Sequence, residues 1–121
     1  MLYSLLVLVC FCCSRPVPEI TGIDLDAWKN DSYGCKGTRK TYIESIRGQR
    51  DKLKGLSEVD LVTVLGKPDK LDLSEHHEKF YYYYIIPVSC DPPTGATTSL
   101  IVRINATGVS KEVTLEEIAA P

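Results

Sequence analysis

Two segments of the chain carry apolar residues at helical spacing. In the first, Tyr42, Ile43, Ile46 and Leu53 recur at intervals near 3.6 residues, which predicts an amphipathic helix over Thr38–Leu53. The remaining positions are mainly charged: Arg39, Lys40, Glu44, Arg47, Arg50, Asp51 and Lys52. A face of this kind is typical of a helix that turns its charges to water, with a basic surface for anionic lipid as the alternative.

The second helical segment has clear start and stop signals. Ser57 can cap its first turn, and Asp60 three residues later resembles the partner in a capping box. Gly66 suits a left-handed residue just past a helix, and Pro68 prevents the helix from continuing. A short helix is therefore predicted over Ser57–Leu65. Its predicted apolar face consists of Val59, Leu61, Val62 and Leu65.

The remainder of the chain is typical of β-strands. The predicted elements are a short edge strand at 71–74, an aromatic strand from Lys79 to Pro87, a loop at 89–98, a strand at 99–105, a hairpin turn at 105–108 and a last strand marked by Val109, Val113 and Leu115. Two helices followed by antiparallel strands predict an α+β domain. The helices are expected on one face of a three- to four-stranded sheet, in two layers.

The aromatic strand contains four consecutive tyrosines within the sequence KFYYYYIIP. Side chains alternate between the faces of a strand, so Tyr81 and Tyr83 share one face and their neighbours share the other. The second set is the more apolar and is predicted to meet the helices: Phe80, Tyr82, Tyr84 and Ile86. Tyr81 and Tyr83 are then predicted to face outward as a candidate contact patch for a partner.

The N-terminal sequence MLYSLLVLVCFCC is apolar and uncharged. It is shorter than the roughly 20 apolar residues of a membrane span, and it fits the apolar region of an export signal. An apolar run that ends at a cysteine is similar to a bacterial lipoprotein leader, in which acyl chains on that cysteine anchor the protein. Cys13 is the predicted lipidation site, with Cys12 and Cys10 as alternatives. A plain secretion signal and a buried N-terminal segment are the other interpretations.

This interpretation divides the chain into three parts. Residues 1–13 form the leader, residues 14–37 form a proline-containing tether and an N-terminal extension, and residues 38–121 form the folded domain. The extension carries Trp28, the one tryptophan of the chain, which is predicted to pack this segment onto the domain.

Two cysteines lie beyond the leader, Cys35 and Cys90. Because an exported protein meets an oxidising compartment, these two are predicted to pair. The bridge would close a loop of about 55 residues and stabilise the fold by about 4 kcal/mol. Two free buried thiols are the alternative. A metal site is not predicted, since there is no CxxC motif and His76 and His77 are adjacent in a polar turn.

Composition and motifs limit the function further. The net charge of −2 gives no basic excess, so nucleic acid is not an expected partner. The sequence lacks the common hydrolase, metalloprotease and nucleotide-binding motifs, and no cofactor is predicted. Asp60 and Asp69 have no nucleophile to pair with, and Asp69 after Pro68 is expected to shape the turn into the first strand. These observations favour a protein that is not an enzyme.

The stretch GLSEVDLVTVLGKPDK, followed by the aromatic strand, resembles the BamE (SmpA/OmlA) lipoprotein domain. The resemblance covers residues 54–115 and is carried by Gly55, Leu56, Ser57, Leu65, Gly66, Pro68 and Tyr81 to Tyr84. It implies two helices on a three-stranded antiparallel sheet and a location in the cell envelope, where members of that family attach to the β-barrel assembly machinery. The long 89–98 loop and the cysteine pair depart from the family pattern.

A second resemblance lies upstream, in DAWKNDSYGCKGTR. Small lipoproteins of Bacteroidota-type bacteria carry a similar segment, matched here by Trp28, Lys29, Asp31, Gly34, Cys35, Gly37 and Arg39. The resemblances together imply an envelope lipoprotein, a scaffold or binding module tethered by lipid to the outer membrane and facing the periplasm. Its partner would be another envelope protein. A secreted inhibitor or effector similar to β-lactamase inhibitory proteins is the alternative.

Overall fold

The computed structural model describes residues 17–87, 89–90, 93–94 and 96–119. Cys10, Cys12 and Cys13 lie outside these residues. The described helices are α1 (Leu25–Lys29), α2 (Thr38–Thr41), α3 (Ile43–Gln49) and α4 (Glu58–Leu65), with 3₁₀ turns at Ser32–Gly34 and Arg50–Leu53. The described strands are β1 (Lys70–Leu73), β2 (Lys79–Ile86), β3 (Ser89–Cys90), β4 (Pro93–Thr94), β5 (Ala96–Ile104) and β6 (Ser110–Ala119).

The main sheet has four antiparallel strands in the order β1-β2-β5-β6. The short strands β3 and β4 pair with each other in a separate hairpin. The helices come before the sheet in the chain, so the predicted α+β class is confirmed. One buried cluster joins the helices to the sheet and includes Trp28, Ile46, Leu53, Leu61, Leu65, Tyr83, Leu100 and Val102.

The predicted continuous helix over Thr38–Leu53 is wrong, because the segment divides at Tyr42. Tyr42 has φ −100° and ψ 4°, ends α2 and begins α3 without a side-chain cap. The last turn, Arg50–Leu53, tightens to a 3₁₀ turn. The predicted apolar stripe is confirmed, since Ile46 and Leu53 are buried and Tyr42 is partly buried against them.

The second predicted helix is confirmed as α4. Ser57 caps it, and its Oγ accepts a hydrogen bond of 3.1 Å from the Asp60 amide. The predicted apolar face is partly wrong: Leu61 and Leu65 are buried, but Val59 is 76% and Val62 38% exposed. The core side of the helix instead includes Val64, which is buried. Positions 61, 64 and 65 share one side of a helix, whereas position 62 points about 100° away from position 61.

The loop predicted at 89–98 contains more regular structure than expected. It holds the paired short strands β3 and β4. β5 begins at Ala96, earlier than predicted, because β6 is long enough to pair with the added residues; Thr98, for example, lies opposite Glu117. The predicted Cys35–Cys90 disulfide is confirmed and ties this hairpin to the turn before α2, with 5.7 Å between the Cα atoms.

A buried ion pair connects α2 to the start of β1. The Arg39 side chain is 1% exposed and the Asp69 side chain 4%, and Arg39 Nη1 lies 2.6 Å from Asp69 Oδ2. Arg39 also donates to the carbonyl oxygens of Trp28 and Tyr84, each at 3.0 Å. Asp69 in turn accepts from the amides of Tyr33 at 3.0 Å and Tyr84 at 2.8 Å. The predicted exposure of Arg39 is therefore wrong, and Asp69 does more than shape a turn.

The segment from Trp28 to Arg39 is packed into the domain around this pair. Trp28 is fully buried, as predicted, and the Arg39 guanidinium lies 5.0 Å from its ring centre. Asp31, also fully buried, accepts from the amides of Lys36 at 2.6 Å and Arg39 at 2.9 Å. Gly34 lies against β2 so closely that a Cβ atom would come within 2.5 Å of the Ile85 carbonyl oxygen. Each of these residues has a structural role.

Asp69→Asn should lower the free energy of unfolding by about 3–5 kcal/mol, because it keeps the shape of the side chain but leaves the Arg39 charge buried without its counter-ion. Denaturant unfolding measures the loss. The control is Asp51→Asn, which removes the exposed Asp51–Lys54 pair, whose side chains are 79% and 47% exposed. That change should cost less than about 1 kcal/mol. Similar losses in the two variants would contradict the assigned role of Asp69.

Replacing both Cys35 and Cys90 with alanine should cost about 4 kcal/mol, because the unfolded chain regains the freedom of a long loop. The residues are 55 positions apart. Denaturant unfolding of the oxidised protein against the double variant measures the difference. A reductant should destabilise the natural protein and leave the variant unchanged; an equal response of both would show that the bridge does not form.

Candidate functional site

The orientation predicted for the tyrosine strand is reversed in the structure. Tyr81 is 8% exposed, Tyr83 is fully buried, and both belong to the cluster that includes the helices. Phe80 and Tyr82, predicted to be core residues, lie on the opposite face and are only partly buried. The prediction that Tyr81 and Tyr83 form an exposed contact patch is therefore wrong.

Hydrogen bonding to the helix layer explains this orientation. The Tyr81 hydroxyl donates to Glu58 Oε1 at 2.8 Å, and the Tyr83 hydroxyl donates to the Gly66 carbonyl oxygen at 2.8 Å. Both acceptors lie at the ends of α4, so the two phenols can be buried without losing a partner. Burial, followed by the hydrogen bond to Glu58, raises the pKa of Tyr81 to about 12. Burial likewise raises the pKa of Tyr83.

Tyr84 is fully buried for a different reason. It shares a face with Tyr82 by strand alternation, and Tyr33 covers it, with 5.7 Å between the ring centres. Its backbone is held by Asp69 and Arg39, as described above. Burial is the main cause that raises the pKa of Tyr84 to about 12, followed by the negative charge of Asp69.

The sheet face opposite the helices, which we call the open face, is the candidate functional site. An open depression of about 160 Å³ lies at its centre. It is lined by Phe80 and Tyr82 of β2, Ile101 and Arg103 of β5, and Glu112, Thr114 and Glu116 of β6. Strand register adds Lys70 and Asp72 of β1, which lie opposite Tyr82 and Phe80.

Charged groups of both signs surround the aromatic rings of the open face. Arg103 donates from Nη1 to Glu78 Oε2 at 2.9 Å and from Nε to Glu112 Oε2 at 3.4 Å. Lys70 Nζ lies 5.1 Å from the ring centre of Tyr82 and 3.6 Å from Asp72 Oδ2. Burial and then the charge of Asp72 raise the pKa of Tyr82. At neutral pH the phenol is therefore a neutral hydrogen-bond donor.

The open face offers contacts suited to binding. Half-buried rings present apolar area, the Tyr82 hydroxyl can donate or accept, and the ion pairs at the rim supply charge of both signs. Among the described residues, no group of three or more His, Cys, Asp or Glu side chains could hold a metal ion. His76 and His77 lie in the exposed turn between β1 and β2, as expected. No described helix has the length and apolar character needed to cross a membrane.

The residue pattern of the sequence did not reveal the open face. The two alternating sets of residues in the tyrosine strand were predicted correctly, but apolarity was the wrong criterion for deciding which set is buried. A usable signal was the spacing of Glu58 and Gly66 at the two ends of a capped helix, which provides polar partners for two buried phenols. The Arg39–Asp69 pair joins residues 30 positions apart, and charge pattern alone does not reveal such a pair.

Comparisons with protein-family models, with curated proteins and with solved structures return no match. The resemblance to the BamE family is therefore carried by the sequence motifs described above, and it stays a prediction.

Raising the pH from 10 to 12 should destabilise the protein. Burial raises the pKa of Tyr81 and Tyr84 from 10 to about 12, so the folded state holds their protons more tightly than the unfolded chain does. This contribution to stability is complete below pH 10 and is lost as the pH rises through 12. Denaturant unfolding at several pH values, with tyrosinate absorbance as a second reading, measures the effect. Ionisation of all the strand tyrosines near pH 10 in folded protein would contradict it.

Proposed function

We propose that this chain is a non-enzymatic binding module of the bacterial cell envelope, tethered by lipid to the outer membrane and facing the periplasm. In this proposal the open face binds another envelope protein, and the helices and sheet form a two-layer, BamE-like domain. The observation that carries the proposal is the open face itself: a sheet surface with partly buried rings and paired charges, left uncovered by the described residues.

The shape of the open face supports a protein as its ligand. Small-molecule sites are deep and enclose most of their ligand, whereas a depression of about 160 Å³ on one side of a sheet accommodates little more than a side chain. Aromatic residues and arginine are enriched where proteins bind each other, and here Phe80, Tyr82 and Arg103 lie together.

The covalent structure supports export. Disulfides persist in oxidising compartments, and the Cys35–Cys90 bridge joins two segments that are far apart in the chain. Secretion without an anchor, as an inhibitor or effector, is the competing proposal, and the same bridge is compatible with it. The fate of the leader distinguishes the two.

The proposed tether would be short. Ile20 is 5% exposed and belongs to the buried cluster, and the Thr21 amide donates to Gln49 Oε1 at 2.8 Å. The chain is therefore fixed to the domain from Ile20 onward. Seven residue steps separate Cys13 from Ile20, which reach at most about 25 Å when extended. An acylated Cys13 would keep the domain close to the membrane surface and would favour partners that lie there.

Labelling with radioactive palmitate tests the anchor. The natural protein should incorporate label and sediment with membranes, and Cys13→Ala should remove both properties, while Cys35→Ala should retain them. Label that persists after Cys10, Cys12 and Cys13 are all replaced would overturn the lipoprotein assignment. A soluble product in the medium without acyl chains would favour the secreted alternative.

Photo-crosslinking tests the open face in intact cells. Benzoylphenylalanine in place of Tyr82 should give a discrete heterologous adduct, because that ring lies at the proposed interface. The matched control places the same residue at Lys40, which is exposed on α2 and does not line the depression of the open face. Equal adducts at both positions, or none at position 82, would contradict binding through the open face.

A further inference from the structure

The outer strand β1 has an apolar surface that the described residues leave uncovered. It pairs with β2 on one side only. Leu71 is 50% and Leu73 is 72% exposed, although both lie on the helix-facing side of the sheet, opposite Tyr81 and Lys79 of β2. An exposed edge with apolar side chains is a template for pairing with another strand.

The backbone of β1 is also available there. The Tyr82 carbonyl points toward β1, because it accepts from the Asp69 amide at 2.8 Å. Along an antiparallel strand, successive residues direct their N–H and C=O groups to opposite sides. Lys70 and Asp72 therefore direct these groups toward β2, where they lie opposite Tyr82 and Phe80. Leu71 and Leu73 therefore direct their N–H and C=O groups away from the sheet.

The other edge of the sheet is occupied or protected. At the start of β6, the Gly55 amide donates to the Ser110 carbonyl at 2.8 Å and the Ser110 amide to the Leu56 carbonyl at 2.9 Å. Further along, β6 carries charged side chains, which protect an edge from pairing. Residues 19–21 are bonded to Gln49 of α3 and to Lys52 in the turn that follows it, so this part of the N-terminal segment does not cover β1.

We propose that β1 is a homodimer interface, in which β1 pairs antiparallel with β1 of a second copy across a two-fold axis at Leu71. The charges of the strand select this register. With Leu71 opposite the partner's Leu71, each Lys70 faces the partner's Asp72, which gives two attractive pairs. A register centred on Asp72 would instead place two aspartates opposite each other.

The helix layer accommodates this pairing. The hydrogen bonds from Tyr81 and Tyr83 to its two ends place α4 over β2. In the dimer, the two β2 strands are three strand spacings apart, about 14 Å, and packed helices need about 8–10 Å. The groove left between the two α4 helices lies directly above Leu71 and Leu73 of both copies.

Disulfide trapping in cells, with the full chain, tests the register. Leu71→Cys should give a covalent dimer, because directly opposed residues have Cα atoms about 5.5 Å apart, within the range of a disulfide. Leu73→Cys is the matched control, because in this register position 73 faces the partner's Asp69, so the two introduced cysteines do not face each other. Random collisions would favour the control, since Leu73 is the more exposed residue. No dimer at position 71, or more dimer at 73, would overturn the proposal.

Charge reversal provides a second test that does not need a cysteine. In detergent solution, Lys70→Asp and Asp72→Lys should each raise the dimer dissociation constant roughly tenfold or more, because each creates two like-charge pairs. A mixture of the two variants should dimerise again, since every substituted position then faces the opposite charge. Circular dichroism of each variant checks the fold. A natural protein that is monomeric at all concentrations, or variants whose mixture does not recover, would contradict the proposal.

Discussion

The buried ion pair between Arg39 and Asp69 is the constraint on which the arrangement of the domain depends. Arg39 also bonds the carbonyl of Trp28 and that of Tyr84, so one guanidinium joins the N-terminal segment, α2 and β2. Two buried charges are costly unless each is fully hydrogen-bonded, and the contacts of Asp69 with backbone amides meet that requirement. The pair therefore acts through geometry: it fixes where the N-terminal segment crosses the aromatic strand.

This crossing separates the strand into two parts. β1 begins at Lys70, opposite Tyr82, and so does not extend alongside Tyr84 and Ile85. There the Ser32–Gly34 turn takes the place beside β2 that a longer β1 would fill, and Tyr33 covers Tyr84. In the first half of β2 the open face remains uncovered, with Tyr82 next to Arg103 and the glutamates of β6. The residues that make the upstream segment distinctive are thus used for folding. Apart from Tyr82, which belongs to the tyrosine run, the residues that line the candidate binding surface lie outside the sequence motifs.

Local rules predicted much of this fold. The Ser57 cap, the end of α4 at Gly66 and the strand alternation each depend on near neighbours, and the structure has them as expected. The errors concern choices made by distant residues. Arg39 resembles a solvated helix residue until Asp69 is placed beside it, and Tyr81 is buried because α4 supplies an acceptor for its hydroxyl. Val62 is apolar but 38% exposed, because it lies on a different side of α4 from Leu61. Residue spacing shows which positions share a face, whereas tertiary partners decide which face is buried.

The aromatic strand turns Tyr81 and Tyr83 to the helices and Tyr82 to the open face, and the candidate site depends on this orientation. Chemical nitration of the native protein, with peptide mapping by mass spectrometry, tests it most directly because all three phenols lie in one strand. Tyr82 should be modified first, and Tyr81, Tyr83 and Tyr84 should react only after unfolding. Early nitration of Tyr81 and Tyr83 with Tyr82 protected would reverse the two faces and contradict the account of the candidate site.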